Sequence, residues 1–269
     1  MGIAGNLGFL GYGNMGSAIL EGLIQQVVVS PKQVAIYDPA PERRIEAEKL
    51  GVAIAESAAG LAARTDVLVL AVKPQAMGVA LKDLGDSLGA DALVISIAAG
   101  ISIDYVQERL GTDRRVIRVM PNTPALVKAG AAAFALSATC TEGDAQTART
   151  IFESVGMADQ VSESDIDAVT ALSGSGPAYF FYMVESLVKA AVAEGLDEAV
   201  ATKLAGQTLL GAGMLLQVSG DSAATLREKV TSKGGTTEAA LRRFSEKGFE
   251  DVIAAGVHAA AERSRDLGA

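Results

Sequence analysis

The chain has 269 residues, 49% of them apolar, so it is long enough for two domains and can bury a substantial core. Its 23 Lys and Arg stand against 32 Asp and Glu, a net charge of −9, and its basic runs do not exceed the pairs Arg43-Arg44, Arg114-Arg115 and Arg242-Arg243, which excludes a broad nucleic-acid-binding field. One cysteine, Cys140, and one histidine, His258, rule out an internal disulfide framework and argue against a metal site; the N-terminus also lacks the basic segment of a signal peptide.

The first element is Leu7-Gly8-Phe9-Leu10, a short apolar run that reads as a buried strand within 6–10. Gly11, Gly13 and Gly16 follow at the spacing G-x-G-x-x-G, and Met15, Ala18, Ile19, Gly22 and Leu23 then recur at helical spacing over 14–26. Strand, glycine turn and helix form the context that a dinucleotide fingerprint requires. Gly11 makes the tight turn, Gly13 lets backbone approach a pyrophosphate, and Gly16 lets helix and strand pack closely. The helix N-terminus offers free N–H groups and a partial positive charge to the phosphates. The competing reading is a glycine-rich turn that holds nothing.

A second strand, 33–38, ends Tyr37-Asp38-Pro39. Asp38 lies 22 positions beyond Gly16, where an acidic residue bonds a ribose 2′-hydroxyl and favours NAD. Arg43 and Arg44 follow closely, and an arginine there holds a 2′-phosphate. The residues point both ways. A helix is expected over 40–50, strands over 52–54 and 66–72, and a helix over 75–84. The strand at 66–72 runs into Ala71-Val72-Lys73-Pro74. Strands 92–98 and 115–119 come next, the latter leading into Met120-Pro121-Asn122-Thr123-Pro124, then strands 131–136 and 157–161. The alternation predicts a parallel sheet with helices on both faces, and the nearly uniform runs DVLVLAV and ALVISIA read as its central strands. Ligands of such sheets bind beyond the carboxyl ends of the strands, where Lys73, Pro74, Asn122 and Thr123 fall. Either loop also reads as plain turn chemistry.

After residue 162 the strand signals stop, giving domains at 1–162 and 163–269. Ser164-Asp165-Ile166-Asp167 reads as a capping box. Pro177 suits the first residue of a long helix, capped by Ser175 or Gly176 and ended by Gly195. Further helices are expected over 196–217, 236–245 and 249–266. The stretch GGTTEAAL, from Gly234 to Leu241, is a helix start whose exposed N–H groups form an anion site, or simply a capped helix. Apolar residues surround much of each helix, which predicts association of subunits through this half; the alternative is a monomeric bundle. His258 and the run Tyr179 to Tyr182 read as packing residues. No apolar run reads as a bilayer span, and the expectation is a cytoplasmic protein without membrane or nucleic-acid partners.

Five motifs in one order, GYGNMG at 11–16, VKPQ at 72–75, MPNTP at 120–124, SGSGPAY at 173–179 and VTSKGGTTEAAL at 230–241, resemble pyrroline-5-carboxylate reductase across nearly the whole chain. The resemblance implies an α/β then all-α protein: an N-terminal Rossmann-type, mostly parallel sheet and a C-terminal helical dimerisation domain, with dimers that often build larger rings. It implies reduction of 1-pyrroline-5-carboxylate to L-proline with NADPH or NADH. By the same resemblance, Gly234, Gly235, Thr236 and Thr237 form the turn that holds the substrate carboxylate, and the Thr237 hydroxyl reaches the ring nitrogen. Ser173, Gly174, Ser175 and Gly176 form the loop beside the active site. Asn14 and Met15 match the cofactor loop; Ala71, Val72, Lys73 and Pro74 match the loop near the nicotinamide, and Asn122 and Thr123 border that pocket. Four positions depart from the family's usual residues: Gly16 for alanine, Asp38 for a small or neutral residue, Ala58 for asparagine and Lys233 for proline.

No His, Cys or carboxylate pair stands out as a general acid, and a protonated imine is already an electrophile. Thr237 is therefore expected to orient the nitrogen. A β-hydroxyacid dehydrogenase is disfavoured because SGSGPAYF lacks the lysine such enzymes carry. A protein that binds NAD(P) without turnover is disfavoured by the intact motifs.

Overall fold

The computed structural model describes residues 2–268; the outer ends of the two expected domains, residues 1 and 269, lie outside them. The chain falls into two units, one running to Ser175 and resuming at Ala260, the other Gly176–Ala259. This division lies inside the expected helical half, and the end of the last helix returns to the first unit.

The first unit is built on eight strands: β1 Leu7–Leu10, β2 Val34–Tyr37, β3 Ala53–Ile54, β4 Val67–Leu70, β5 Leu93–Ser96, β6 Val116–Met120, β7 Gly130–Leu136 and β8 Gly156–Gln160. They lie in the order β3-β2-β1-β4-β5-β6-β7-β8. Pairing is parallel except between β6 and β7, so β7 and β8 run against the rest. With that one reversal the sheet is mostly parallel, as expected. Only a short 3₁₀ turn, Thr123–Val127, separates β6 from β7, and a parallel return needs a crossover of a dozen residues or more.

Six helices of this unit are α1 Asn14–Gln25, α2 Pro41–Glu48, α3 Ala58–Ala62, α4 Met77–Leu84, α5 Ile103–Leu110 and α6 Glu142–Glu153. Successive strand residues alternate between two cores. Leu7 and Phe9 of β1 and Val67 and Val69 of β4 pack with Ile19, Leu23, Phe134 and Phe152. Leu10, Leu68 and Leu70 pack on the other face with Leu81, Val94 and Val106. Both faces of the central strands are therefore buried, which is why those strands read as unbroken apolar runs. Ala58 begins α3 and is buried, with Ser57 capping the helix by accepting from Gly60 N–H at 3.0 Å. Asp144 fixes the start of α6: it accepts from Thr141 N–H at 2.7 Å and pairs with Arg115 at 2.6 Å. Burial pushes its carboxyl up, but the bonds from Thr141 and Arg115 win and hold it below the usual carboxylate range.

The capping box at the start of the helical half lies two residues before its expected place. Asp165 accepts from Ser162 N–H at 3.3 Å, ahead of a short helix, α7 Ile166–Val169. A π-helical turn, Thr170–Gly174, follows directly, and Ser175 keeps right-handed helical dihedrals. The long helix expected here then begins at Gly176, so Pro177 is its second residue, one place from the expected start. The buried Arg118 of β6 ties this segment to the sheet through Glu163 at 3.4 Å and Asp167 at 3.5 Å.

The second unit holds α8 Gly176–Ala193, α9 Glu198–Val218, α10 Ala223–Lys229, α11 Thr236–Glu246 and most of α12 Phe249–Gly268. Gly195, at φ +94°, makes the turn that sets α8 against α9, and Asp197 caps α9. In this unit only Gly176 and Ala201 are buried. Phe181 is 65% exposed, Tyr182 70% and Leu210 57%. By length and composition alone, α9 is long and apolar enough to cross a membrane, although it is not an uncharged run. Glu198, Lys203, Gln207 and Gln217 interrupt its apolar residues.

Candidate active site

The glycine turn sits at the carboxyl end of β1. Gly11 N–H donates to Tyr37 O at 2.8 Å and Ala71 N–H to Leu10 O at 2.8 Å, so the ends of β2, β1 and β4 are joined around it. Gly11 has φ +98°, and a Cβ there would stand 2.6 Å from Ala71 O. At Gly16 a Cβ would stand 2.9 Å from Gly11 O, so α1 packs against the turn as closely as backbone allows. The alanine usual in the resembling family would press on that carbonyl here. At Gly13 a Cβ would meet nothing within 4 Å.

Gly13 is the N-cap of α1, no side chain caps it, and the first turn carries no acid. The first helical bond runs from Ser17 N–H to Gly13 O at 2.9 Å, so the N–H groups of Asn14, Met15 and Gly16 precede it. An open, uncapped and acid-free helix start is the cradle a pyrophosphate requires, and these residues fit one.

Asp38 is held at the end of β2. One carboxylate oxygen accepts Tyr12 N–H at 2.7 Å and the other Ala40 N–H at 2.9 Å. The carboxylate is thus fixed beside the glycine turn. Arg43 is paired with Glu46 at 3.0 Å. Tyr12 itself points into the core: its side chain is fully buried and its hydroxyl has no hydrogen-bond partner. Burial first, then the charges of Glu21 and Glu46, push its pKa up to about 12.

Lys73 is exposed and Pro74 opens a 3₁₀ turn just beyond β4. Asn122 is buried just beyond β6, and Thr123 begins the 3₁₀ turn after it. Because β5 lies between β4 and β6, its own carboxyl end, Ile97 to Gly100, falls between these two loops. The sequence reading assigned no role to Ala98 and Ala99. Their only signal was a place at the end of a central strand, and strand order alone reveals which loops flank it. Ser173, Gly174 and Ser175 lie in the same unit: Ser173 Oγ donates to Val169 O at 3.1 Å, and a Cβ on Gly174 would stand 2.4 Å from Met120 Cε.

The second unit carries the GGTT turn. Gly234, at φ +74°, donates its N–H to Glu238 Oε2 at 2.7 Å, and Gly235 N–H donates to Ser232 O at 2.9 Å. The first bond of α11 runs from Ala239 N–H to Gly235 O at 3.2 Å. The N–H groups that precede it are those of Thr236, Thr237 and Glu238, one step further into the helix than the turn Gly234 to Thr237 expected to hold an anion. Gly235, the N-cap, has no side chain to cover them, and Thr237 is half-buried. Among the described residues, no group of three His, Cys, Asp or Glu could hold a metal ion.

Residues 163–267 match the family model for pyrroline-5-carboxylate reductase dimerisation, and residues 6–100 match that for NADP oxidoreductase, coenzyme F420-dependent. The chain is 40% identical to pyrroline-5-carboxylate reductase of Escherichia coli (strain K12), covering 97% of both chains. It is 38% identical to the enzyme of Pisum sativum, covering 97% of this chain and 95% of that one. Among solved structures, the reductase of Coxiella burnetii superposes with a TM-score of 0.94 at 35% identity, over 99% of this chain and 100% of the other. The reductase of Plasmodium falciparum with NADP bound gives 0.88 at 30% identity over 100% of both.

Proposed function

The chain belongs to the pyrroline-5-carboxylate reductase family, and from that premise we infer how its own residues carry out the reduction of 1-pyrroline-5-carboxylate to L-proline. The observation that carries the reading is the open glycine cradle at Gly13, set on an uncapped helix N-terminus. The nicotinamide cofactor, NADPH with NADH as an alternative, supplies the hydride that reaches the imine carbon. Gly11, Gly13, Asn14, Met15 and Gly16 hold its pyrophosphate. Asp38 and Arg43 face the ribose end. Lys73 and Pro74, the end of β5 and Thr123 line the nicotinamide side, behind Ala71 and Val72.

The substrate carboxylate is taken by the first-turn N–H groups of α11, from Thr236 to Glu238, at the positive end of the helix. The Thr237 hydroxyl hydrogen-bonds the ring nitrogen and fixes which face of the imine is presented. Ser173, Gly174 and Ser175 are further substrate contacts on this reading. Orientation of this kind supplies on the order of 7 kcal/mol of barrier lowering when alignment is good. No proton donor is required at the carbon, and the nitrogen enters already protonated. Because Glu238 holds the Gly234 N–H, the anion site keeps its shape before substrate arrives.

The exposed apolar faces of α8 and α9 are covered by a second copy of the chain, and dimers of this kind assemble into a larger ring. On this reading α9 meets protein, not lipid, and the enzyme works in the cytoplasm.

Two substrates test the assignment of the α11 turn. Unsubstituted 1-pyrroline lacks the carboxylate and should lose about a hundredfold in kcat/KM, on the scale of charge-assisted hydrogen bonds. Thr237→Ala should lose about tenfold or more with 1-pyrroline-5-carboxylate. Equal kcat/KM for the two imines, or an unaffected Thr237→Ala enzyme, removes the turn from the mechanism.

A further inference from the structure

Asn122 stands in the loop that borders the nicotinamide side, yet both ends of its amide are engaged within the protein. Its Nδ2 donates to Ser173 O at 3.0 Å, and its Oδ1 accepts from Ala131 N–H at 2.8 Å. The two partners fix the amide's orientation, since a carbonyl only accepts and an N–H only donates. The side chain is 8% exposed.

Ser173 O has a specific need for that donor. In a regular helix it would accept from the N–H of residue 177, and residue 177 is proline, which has none. The π-helical turn satisfies a different carbonyl, because Ser175 N–H reaches Thr170 O at 2.8 Å. Asn122 fills the remaining gap from a position 51 residues away in the chain. A second contact lies beside it: Met120 Cε, the end of the last side chain of β6, packs where a Cβ on residue 174 would stand, 2.4 Å away. The end of β6 and the loop after it therefore both meet the segment at Ser173 and Gly174, with the Asn122 bond as the fixed point.

We propose that Asn122 is a positioning residue that locks the substrate-side SGSG turn to the nicotinamide-side loop, and that it makes no contact of its own with the cofactor. This rests on the functional reading above, in which those two segments serve the two reactants. Removing the clamp lets one reactant's wall shift against the other's. Small misplacements of that kind lower turnover steeply while leaving affinity for the cofactor intact.

The test uses the full-length enzyme, with NADPH affinity from fluorescence titration, thermal midpoint, and kcat and KM for 1-pyrroline-5-carboxylate. Asn122→Ala should hold the NADPH Kd within about twofold while kcat/KM for the imine falls about tenfold or more. Adding Pro177→Ala restores an N–H to the helix for the Ser173 carbonyl. The double variant should recover the part of the thermal midpoint that the Ser173 carbonyl carries, the Ala131 N–H staying without its acceptor, but not the lost kcat/KM. Recovery of both together would show that Asn122 only satisfies a buried carbonyl, and would overturn the proposal. A rise of about tenfold in the NADPH Kd would also overturn it, by making Asn122 a cofactor ligand. Wild-type enzyme that fails to reduce the imine overturns the functional reading and the clamp's catalytic role with it; active wild type matched by Asn122→Ala overturns the clamp alone.

Discussion

The two units of the chain bury their apolar residues in opposite ways. The first closes two cores around a sheet, with Phe9, Phe134 and Phe152 fully enclosed. The second has almost no interior of its own, and Phe181, Tyr182, Leu204, Leu210 and Met214 lie more than half exposed. A 430 Å³ apolar cavity lined by Tyr182, Met183, Phe244, Phe249 and Ile253 opens within it. Burial is the main favourable term in folding, so the first unit is stabilised by its own chain, and on the reading above the second is stabilised by a second copy. The difference also separates duties: a self-contained sheet presents the glycine cradle, and an associating helical unit presents the α11 turn.

The sharpest way to break that comparison is Leu210→Asp in α9. A charge placed in a surface that a second copy covers should dissociate the dimer, and activity should fall by about two orders of magnitude. Sedimentation equilibrium reports the mass. A dimer that survives the substitution would place the interface elsewhere.

Next in size is Asp144→Ala in the first unit. It strips the cap of α6 and leaves Arg115 without its carboxylate, at a cost of about 3 kcal/mol in chemical denaturation. Its effect on the dimer should be small. The sign with pH follows from the lowered carboxyl: the contribution of Asp144 is full above the ordinary carboxylate range and disappears as pH falls through the folded value. The variant should therefore lose the most stability near neutrality and converge on wild type in acid.

Asp38→Ser probes the cofactor end. Loss of the fixed carboxylate should raise the ratio of kcat/KM for NADPH over NADH by about tenfold, since a phosphate no longer meets a negative charge. An unchanged ratio would remove Asp38 from cofactor choice.

Smallest is Tyr12→Phe, which removes a buried hydroxyl that has no partner. Stability should rise by about 1 kcal/mol. The tyrosine's folded pKa of about 12 exceeds its ordinary value of 10.0, so wild-type stability should decline as pH climbs from the ordinary value to the folded one. Phenylalanine lacks that alkaline step.

Legibility in the sequence followed the same divide. Every strand of the sheet lies within a residue or two of its expected place, because alternation and apolar runs record burial on one or both faces. The tight turn at Gly11 and the close packing at Gly16 were readable for a related reason: backbone clearances at these two positions leave little choice of residue, whereas Gly13 faces open space. The reversal of β7 was not readable, since its composition is the same in either direction. In the second unit, α10 was missed because its seven residues, capped by Ser222, have no buried face to impose a period. The π-turn escaped for a different reason. Pro177 rightly marks the start of α8, but the turn before it has no composition of its own, and the donor that serves its Ser173 carbonyl, Asn122, lies far away in sequence. Likewise, only the fold shows that the N–H groups of Gly234 and Gly235 are already engaged, by Glu238 and Ser232.

The most direct test of the central claim is the oxidation rate of NADPH and of NADH with 1-pyrroline-5-carboxylate, measured beside a panel of 3-hydroxy acids with the oxidised cofactors. Turnover with the imine, L-proline as product and no activity on the hydroxy acids are the expected results. Activity on a hydroxy acid with none on the imine would contradict the account, leaving the fold in place and the substrate assignment of the α11 turn without support.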